Sequence, residues 1–555
     1  MSLIDAVKNN FEGEVTDDPL KLETYSRDAS LFKVKPKFIV YPKHAQDLAH
    51  LVDFVKENKV TDPTLSLTMR AAGSDMSGGS LNESIIADVT EHMNKIGEVH
   101  AEGTRVEPGA FYRDFEKKTL ENGLILPCYT ASKNLCALGG MIANNCAGEK
   151  TLRYGKMENF VAEAKYVFSD GKEYVVKPLS KSELEEKMVQ NNFEGHLYKK
   201  IYNLLEDNKQ VIQNAKPQVS KNSAGYYLWN VWDGETFDLN RLLTGAQGTL
   251  GLMTEAKVKL VPVEHVSELF VIFLHDLSPL AELVNVILPT KPDSIESYDD
   301  STMKLAIRFF PEMLKSMKPR HFFSLVWSFI PEIKMMIKGG IPKMILLVEY
   351  SGSTREETDA KIAELQKIIG PYHVVSRKTI SEEETEKYWT VRRESFNLLR
   401  NHVHGFRTAP FVDDVVVMPR DMPEFLPKMR AILDEYQLTY TIAGHAGNGN
   451  FHIIPLMDMK NEKNKKVIEE VSEKVYSLVA SYGGSITGEH NDGIVRTPYL
   501  NKMYSDETLE LFKQTKQIFD PLNIFNPGKK VPASHEASQG KGGSLEYLQS
   551  HIASE

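Results

Sequence analysis

The most informative stretch of the sequence is glycine-rich and reads Arg70-Ala71-Ala72-Gly73-Ser74-Asp75-Met76-Ser77-Gly78-Gly79-Ser80. Two further glycine-rich segments span 139–148 and 244–251. Glycine lets the backbone approach a ligand closely and point consecutive N–H groups at it, as in sites that cradle a diphosphate. Any one segment is better explained by tight turns, but three in one region favour a phosphate-binding site. The chain has no P-loop and no clean strand–GxGxxG–helix unit, so the sequence indicates a different kind of fold.

Around these segments, short apolar or β-branched runs alternate with helical patterns. Residues 38–42, 84–88 and 256–261 have the composition of strands, whereas 47–55 has the apolar spacing of a helix. We therefore expect an α+β domain over residues 1–265, with the glycines between its elements. Because 555 residues exceed what one hydrophobic core organises, two or three domains are expected.

The rest of the chain predicts a second domain, a returning segment and a tail. Strand-like runs at 267–274 and 344–350, with a charged helix near 356–369, indicate a small antiparallel sheet with helices on one face. This cap domain is assigned to residues 266–500, and a C-terminal helical segment that returns to the first domain is assigned to 501–530. Residues 531–555 are rich in Ser, Gly and Gln, which predicts a mobile tail.

Composition narrows the class of protein. The net charge of −10 argues against a general nucleic-acid binder. The three cysteines, Cys128, Cys136 and Cys146, show no CxxC spacing, so we expect no iron–sulfur cluster or four-cysteine zinc site within the chain. No signal peptide and no membrane-spanning stretch are recognised, and few cysteines suit a reducing compartment. A cytoplasmic location is therefore expected.

A basic, aromatic insertion interrupts the cap domain at about 304–343. It carries several Phe and Met and a Trp among Lys and Arg, with very few acids. One interpretation is a helical pair that packs on the domain. The other is a surface that lies on an anionic membrane, which would make the protein peripheral on the inner face of the cell membrane.

The order of the motifs resembles that of the vanillyl-alcohol oxidase/PCMH flavoprotein superfamily. The matching segments are Arg70 to Gly79, Val106 to Gly109, Cys136 to Gly140, Gly248 to Gly251 and Phe519 to Lys529. The resemblance implies a PCMH-type FAD-binding domain of two α/β subdomains, with FAD stretched across it. Ala71, Ala72 and Ser74 stand where the family loop is richer in glycine, so the first loop is a partial match.

The same resemblance implies which residues contact the cofactor. They are Arg70, Gly73, Ser74, Ser77, Gly78, Gly79, Gly139, Gly140, Asn144, Asn145, Gly248, Thr249, Gly251 and Asn526. Some members of the superfamily attach the flavin to a histidine in the first loop. That loop has no histidine here, so a noncovalent FAD is expected and the cysteines are expected to be packing residues; a thioether to the flavin is the alternative.

Histidine-rich motifs lie near the end of the cap domain. The run from Gly444 to His452 places His445 and His452 on either side of a glycine turn, and Glu489-His490 follows in another glycine loop. Two imidazoles and one carboxylate can hold Zn²⁺ or a similar divalent ion and leave positions open, although histidines in such loops are often surface residues. The spacing is not HExxH, so a helix-face argument does not apply.

These motifs resemble the C-terminal domain of D-lactate, D-2-hydroxyglutarate and glycolate dehydrogenases. The resemblance implies His445, His452 and Glu489 as ligands of a divalent metal, zinc being favoured, and His490 as the catalytic base. Asn448 departs from the family's usual Asp, which puts the support of the loop in doubt rather than the metal.

A substrate carboxylate also needs a cation. The run from Tyr388 to Glu394 resembles the family's Trp-x-x-Arg segment, and Arg392 is the matching residue. An arginine can bind a carboxylate through two N–H groups. The alternative is a solvated charge on a helix, since Arg393 and Arg400 lie nearby.

Together these features predict metal-assisted, FAD-dependent oxidation of a small D-2-hydroxy acid to the 2-oxo acid. Ile454 stands where the D-2-hydroxyglutarate branch has Asn, which favours a short apolar acid such as D-lactate. Electrons would pass to a quinone, a cytochrome, another flavoprotein or a separate iron–sulfur subunit. Two alternatives are another enzyme of the superfamily, such as a sugar or alcohol oxidase or an ether-lipid synthase, and a noncatalytic flavoprotein subunit.

Overall fold

The computed structural model describes residues 3–308, 330–402, 405–532 and 542–554. The fold is α+β, as predicted. The first sheet has the strand order Glu14–Thr16, Phe38–Tyr41, Ile85–Asp88 and Leu67–Arg70. Its last three strands are parallel, and Phe38–Tyr41 is wholly buried because its side chains enter apolar clusters on both faces. Leu67–Arg70 leads directly into the first glycine-rich segment, which therefore lies at the carboxyl edge of the parallel strands.

A second, antiparallel sheet completes the N-terminal region. Its strand order is Thr104–Val106, Leu252–Val258, Val161–Val167 and Glu173–Val176. Two short antiparallel pairs lie beside it, Leu124–Ile125 with Val261–Pro262 and Leu179–Ser180 with Thr236–Phe237. The single strand expected at 256–261 is divided between Leu252–Val258 and Val261–Pro262, which pair with different strands.

The cap domain is built on an eight-stranded antiparallel sheet. Its strand order is Val375–Lys378, Val266–Leu274, Met344–Gly352, Ser294–Asp299, Thr439–His445, Asn450–Met457 and Arg407–Thr408, with Val415–Val416 also paired to Asn450–Met457.

Helices cover both faces of this sheet, so the expectation of helices on one face is wrong. The last six residues of Val266–Leu274 are all buried. Alternate side chains pack against helices Leu280–Ile287 and Arg355–Ile369 on one face and against Glu382–His402 on the other. A continuous apolar run is typical of a strand covered on both sides, and the run in the sequence carried that signal.

The helices fall into three groups along the chain. Those of the N-terminal region are Leu3–Lys8, Pro19–Tyr25, Ala45–Asn58, Tyr112–Leu120, Leu138–Asn144, Thr151–Tyr154, Lys181–Met188, Phe193–Asp207, Lys209–Ala215 and Asn240–Leu243. Those of the cap are Leu280–Ile287, Asp300–Arg308, Ile330–Gly339, Arg355–Ile369, Glu382–His402, Met422–Glu435 and Lys463–Ser481. Gly493–Arg496, Asp506–Phe519 and Leu545–His551 follow.

The chain returns to the first sheet after the cap. Phe525 bridges Leu67, and the backbones of Ile524 and Asn526 exchange hydrogen bonds with Leu67. Composition predicts a mobile tail after residue 530, but residues 542–554 are packed. Helix Leu545–His551 buries Leu548, and the following residues pair with the backbone near Leu31.

The basic, aromatic insertion lies largely outside the described residues. Helices Asp300–Arg308 and Ile330–Gly339 flank residues 309–329, for which the structure gives no description. The expected membrane contact therefore stays a prediction. Within the described ranges, no helix is both long enough and apolar enough to cross a membrane.

Candidate active site

A cavity of about 970 Å³ runs between the N-terminal sheets and the cap sheet. Residues of all three glycine-rich segments and of both histidine motifs line it. Its volume is at the upper end of the range of about 300–1,000 Å³ that is usual for ligand sites. The two groups of motifs that the sequence singles out therefore share one site.

The first glycine-rich segment forms a tight turn that depends on its glycines. Gly73 and Gly78 have φ values of +66° and +81°, which only glycine adopts without strain. The turn aims the backbone N–H groups of Ser77 and Gly79 at one oxygen of Asp75, at 3.1 and 2.6 Å. These two amides are thus engaged by the loop's own carboxylate, while Gly73, Ser74 and Gly79 of the same loop line the cavity.

The expected cofactor residues divide into two sets. Those that line the cavity are Arg70, Gly73, Ser74, Gly79, Gly139, Gly140, Asn144, Gly248 and Gly251. Those that do not are Ser77, Gly78, Asn145, Thr249 and Asn526. Members of the second set brace the loops; the buried amide of Asn526, for example, donates to the carbonyls of Gly79 and Gln247, both at 2.8 Å. Direct contact of either set with a cofactor stays a prediction.

Space around the second segment also suits a bound ligand. Gly140 lies in the first turn of helix Leu138–Asn144, at the wall of the cavity. A Cβ atom built at Gly140 would meet nothing nearer than the Cβ of Ala71, at 3.7 Å. A ligand can therefore approach the backbone here as closely as in a phosphate-binding loop.

The histidines sit on a β-hairpin of the cap sheet. Strands Thr439–His445 and Asn450–Met457 pair so that Ala443 faces His452. The turn between them needs Gly449, which has a φ of +65°. The Nε2 atoms of His445 and His452 lie 3.4 and 3.3 Å from the same oxygen, Oε1 of Glu489.

Three donor atoms thus converge in a buried place. One donor atom from each of His445, His452 and Glu489 lies within 4.8 Å of the others. His445 and Glu489 are only 5% and 8% exposed. Without an ion the three groups bring one carboxylate to two imidazoles, and with an ion they match the ligand set of an open zinc site. A second such group, Asp413 with His452 and His490, overlaps the first.

Two carboxylates that the sequence reasoning missed stand behind the histidines. Glu296, in the neighbouring strand Ser294–Asp299, lies 2.5 Å from Nδ1 of His445. Asp413 lies 3.2 Å from Nδ1 of His452 and 2.8 Å from Nδ1 of His490. A carboxylate hydrogen-bonded to Nδ1, as at His445 and His452, favours the proton there and leaves the Nε2 lone pair free, whereas Nδ1 of His490 approaches Asp413 without forming a hydrogen bond among the described residues. Asp413 did leave a signal, since two acids interrupt the apolar run at 411–417.

The electrostatics reflect this concentration of buried acids. Burial raises the pKa of Asp413, but His490 and His452 more than reverse this and hold it well below its usual value. Burial lowers the pKa of His452, yet Asp413 and Glu489 raise it to about 10. The pKa of Glu489 is likewise depressed against the effect of burial, mainly by Lys221 and His445. The buried carboxylates therefore stabilise a positive charge placed between them, such as that of protonated His452.

The loop that carries Glu489 and His490 is held by Asp414. One oxygen of this fully buried carboxylate accepts the backbone N–H groups of Glu489 and His490, at 2.8 and 2.7 Å. The same oxygen accepts the hydroxyl of Thr487 at 2.7 Å. Asp414 thus fixes the position of the expected base.

Arg392, on helix Glu382–His402, lines the cavity together with the histidines. Its Nη2 lies 3.1 Å from Oε2 of Glu296, the carboxylate that also contacts His445. Among the described residues no acceptor forms a hydrogen bond with Nε of Arg392, which is buried. Arg393 is different, since it pairs with both oxygens of Glu149 at 2.9 and 2.7 Å.

Comparisons with known proteins give two family matches. Residues 36–177 match the FAD binding domain, and residues 265–530 match the C-terminal domain of FAD linked oxidases. A D-2-hydroxyglutarate dehydrogenase from Pseudomonas putida is 28% identical over 95% of this chain and 51% of its own length. A D-lactate dehydrogenase from Archaeoglobus fulgidus is 26% identical over 89% of this chain and 91% of its own length.

Solved structures extend the likeness of the fold. The crystal structure of p-cresol methylhydroxylase with substrate bound has a TM-score of 0.67 and 15% identity, with 95% of each chain covered. At this identity the likeness concerns the fold alone. The chain spans about half the length of the D-2-hydroxyglutarate dehydrogenases from P. putida and Escherichia coli that it matches.

Proposed function

Because the chain belongs to the FAD-linked oxidases, we propose that it is a metal-assisted dehydrogenase that oxidises a small D-2-hydroxy acid to the 2-oxo acid. One observation carries the proposal. The histidine–carboxylate cluster and the first glycine-rich loop line one and the same cavity. A cofactor bound at the loop would therefore extend toward a substrate held at the cluster.

The FAD end fits the cofactor that the family uses. The first loop lines the cavity through Gly73, Ser74 and Gly79, and Gly140 leaves the backbone open to close approach. Bound FAD would supply the acceptor for the hydrogen that leaves C2 of the substrate. Residues 70–80 contain no histidine, which supports a noncovalent flavin.

The cluster fits a divalent metal, with zinc favoured. His445, His452 and Glu489 would hold it, since their donor atoms converge and carboxylates stand behind both imidazoles. Three protein ligands leave a position open, as in catalytic zinc sites. Such an ion would supply a Lewis acid that lowers the pKa of the substrate hydroxyl.

Arg392 and His490 are assigned the remaining roles. The unpartnered Nε and the partly shared Nη2 of Arg392 would bind the substrate carboxylate. His490 would take the hydroxyl proton at Nε2, because Asp413 occupies its Nδ1 side at 2.8 Å. Asp413 would then stabilise the imidazolium that forms.

The wall near the cluster supports a short, apolar substrate. Thr441 and Ile454 face each other across the hairpin and both line the cavity, with Ala443 beside them. Arg393, which follows Arg392 and also lines the cavity, is engaged by Glu149. We therefore propose a D-lactate-like acid ahead of D-2-hydroxyglutarate, whose distal carboxylate would need a free partner.

Electrons would leave the chain to an external acceptor. Cys128, Cys136 and Cys146 are buried, and the sequence has no CxxC spacing that would hold an iron–sulfur cluster. A quinone, a cytochrome or a separate iron–sulfur subunit would therefore receive the electrons. We propose a cytoplasmic protein, with residues 304–343 as its contact with the inner face of the cell membrane. Flotation with anionic liposomes tests this contact, and a protein that stays in the soluble fraction contradicts it.

The proposal is tested by anaerobic mixing with D-lactate, L-lactate, glycolate and D-2-hydroxyglutarate while flavin bleaching is followed. We expect the D-2-hydroxy acids to bleach the flavin, D-lactate most rapidly. His490→Ala should keep its FAD but lose the reduction. His100→Ala, at a histidine whose side chain is 62% exposed, is the matched control and should behave as the unmodified protein. If the flavin of His490→Ala is reduced at the normal rate, the assignment of His490 as the base is wrong.

A further inference from the structure

Lys221 is a fully buried cation that reaches the histidine cluster from outside the cap. Its side chain is 0% exposed, and its Nζ lies 3.0 Å from Oε2 of Glu489. It also lies 3.3 Å from Oδ1 of Asn450, in the hairpin that carries the histidines. Residue 221 falls between the two matched family ranges, 36–177 and 265–530. Neither family match therefore assigns it a role.

The two oxygens of Glu489 have different partners. Oε1 faces Nε2 of His445 and Nε2 of His452, whereas Oε2 faces the ammonium of Lys221. A buried carboxylate–ammonium pair keeps its geometry because separating it would leave both charges uncompensated. The lysine thus holds one oxygen away from the point where the three donor atoms converge.

The backbone around Lys221 is tied to both histidine-bearing loops. The N–H of Ser223 donates to the carbonyl of Thr487 at 2.9 Å, next to Glu489. On the other side, the amide of Asn448 donates to the hydroxyl of Ser220 at 3.0 Å. The side-chain amide of Asn448 supplies the N–H that this contact uses. The position of Lys221 is therefore set by both loops.

We infer that Lys221 is a positioning residue that makes Glu489 offer a single oxygen to the metal. The inference rests on the proposed metal site. A carboxylate that binds through one oxygen leaves a coordination position for the substrate, which a carboxylate binding through both oxygens would occupy. Lys221 also offsets charge where Glu489, Glu296, Asp413 and Asp414 are all buried.

The test uses FAD-loaded protein from which metal has been stripped. Lys221→Met removes the ammonium and keeps the length of the side chain. Lys216→Met, at an exposed lysine of the same segment, is the matched control. Zn²⁺ is titrated against a chromophoric chelator, and thermal unfolding is followed with and without Zn²⁺.

We expect Lys221→Met to retain FAD and to bind Zn²⁺ about 10–100-fold more weakly, the usual effect of losing a group that orients a ligand. The rise in unfolding temperature on adding Zn²⁺ should shrink accordingly. A purely structural role would instead lower the unfolding temperature equally with and without the ion. Co²⁺ gives a second measure of how Glu489 binds the ion. Its visible absorption, read at wavelengths longer than the flavin bands, should change if Glu489 binds through both oxygens.

Equal Zn²⁺ affinity and an unchanged Co²⁺ spectrum in Lys221→Met overturn the inference. If Lys221→Met loses FAD, Lys221→Gln, which keeps an N–H donor, takes its place. Loss of FAD from both variants also overturns the inference, since the lysine would then support the fold. If the unmodified protein binds neither ion, the proposed metal site itself fails, which is a different outcome.

Discussion

Replacing Glu296 by glutamine tests whether the proposed metal site depends on the carboxylate behind His445. The change keeps the shape of the side chain and removes one buried charge, which lies 2.5 Å from Nδ1 of His445 and 3.1 Å from Nη2 of Arg392. An amide at this place no longer holds the proton on Nδ1 by charge. The Nε2 lone pair of His445 should become a weaker ligand as a result.

The expected magnitudes follow from these contacts. Loss of a carboxylate behind a ligating histidine weakens metal binding by about 10–100-fold, or about 1.4–2.7 kcal/mol. At 3.1 Å and an effective dielectric constant of about 20, the attraction between Arg392 and Glu296 is about 5 kcal/mol before desolvation. Removing one partner of a buried pair costs about 3–5 kcal/mol, and the low end applies because Arg392 is 11% exposed. About 3 kcal/mol corresponds to a fall of about 6–12 °C in the unfolding temperature of a domain of about 150–250 residues.

Two measurements on FAD-loaded protein check this prediction. Chelator competition gives the Zn²⁺ affinity, and thermal unfolding gives the stability. Glu349→Gln is the control, because Glu349 lies in the adjacent strand and accepts a hydrogen bond from Ser267 rather than from a histidine. A lower unfolding temperature with unchanged Zn²⁺ affinity in Glu296→Gln would refute the reasoning, since the carboxylate would then only support the fold.

Two further predictions concern the proton acceptor and the flavin. Asp413→Asn should slow anaerobic flavin reduction by at least about 100-fold, because the carboxylate that would stabilise protonated His490 is lost. FAD should stay bound in this variant. An unchanged rate of flavin reduction in stopped-flow absorbance would contradict the prediction. Gly140→Leu should fold, since a Cβ there meets no atom nearer than 3.7 Å, but its side chain would enter the cavity. Its purified form should therefore lack the flavin absorbance, and a full complement of FAD would show that the cofactor does not pass Gly140.

Local motifs were the part of the site that the sequence could predict. The glycine-rich segments and the run from Gly444 to His452 each place their key residues within a few positions, so a local pattern singles them out, and the family resemblance implies their roles. The same holds for strands such as Val266–Leu274, whose apolar run identifies a buried element. Those elements appear in the structure close to their expected limits.

Residues that complete the site could not be found in this way, because their partners are distant in the chain. Glu296 is 149 positions from His445, and Lys221 is 268 positions from Glu489. A lone Glu in a strand or a lone Lys in a loop is ordinarily solvated, so neither carries a local signal. The packed helix Leu545–His551 was missed for a different reason, since its few apolar residues follow a polar stretch that dominates the composition.

The buried charge favours the proposed dehydrogenase over a noncatalytic subunit of the same fold. Glu296, Asp413 and Asp414 are 0% exposed and Glu489 is 8% exposed, and they surround three histidines. Burying carboxylates without full compensation destabilises a protein, and apolar residues of similar size would pack the same space at lower cost. A docking surface has no use for such a cluster. A site that binds a cation and passes a proton needs it, so the acids, Lys221 and Arg392 together favour retained catalysis.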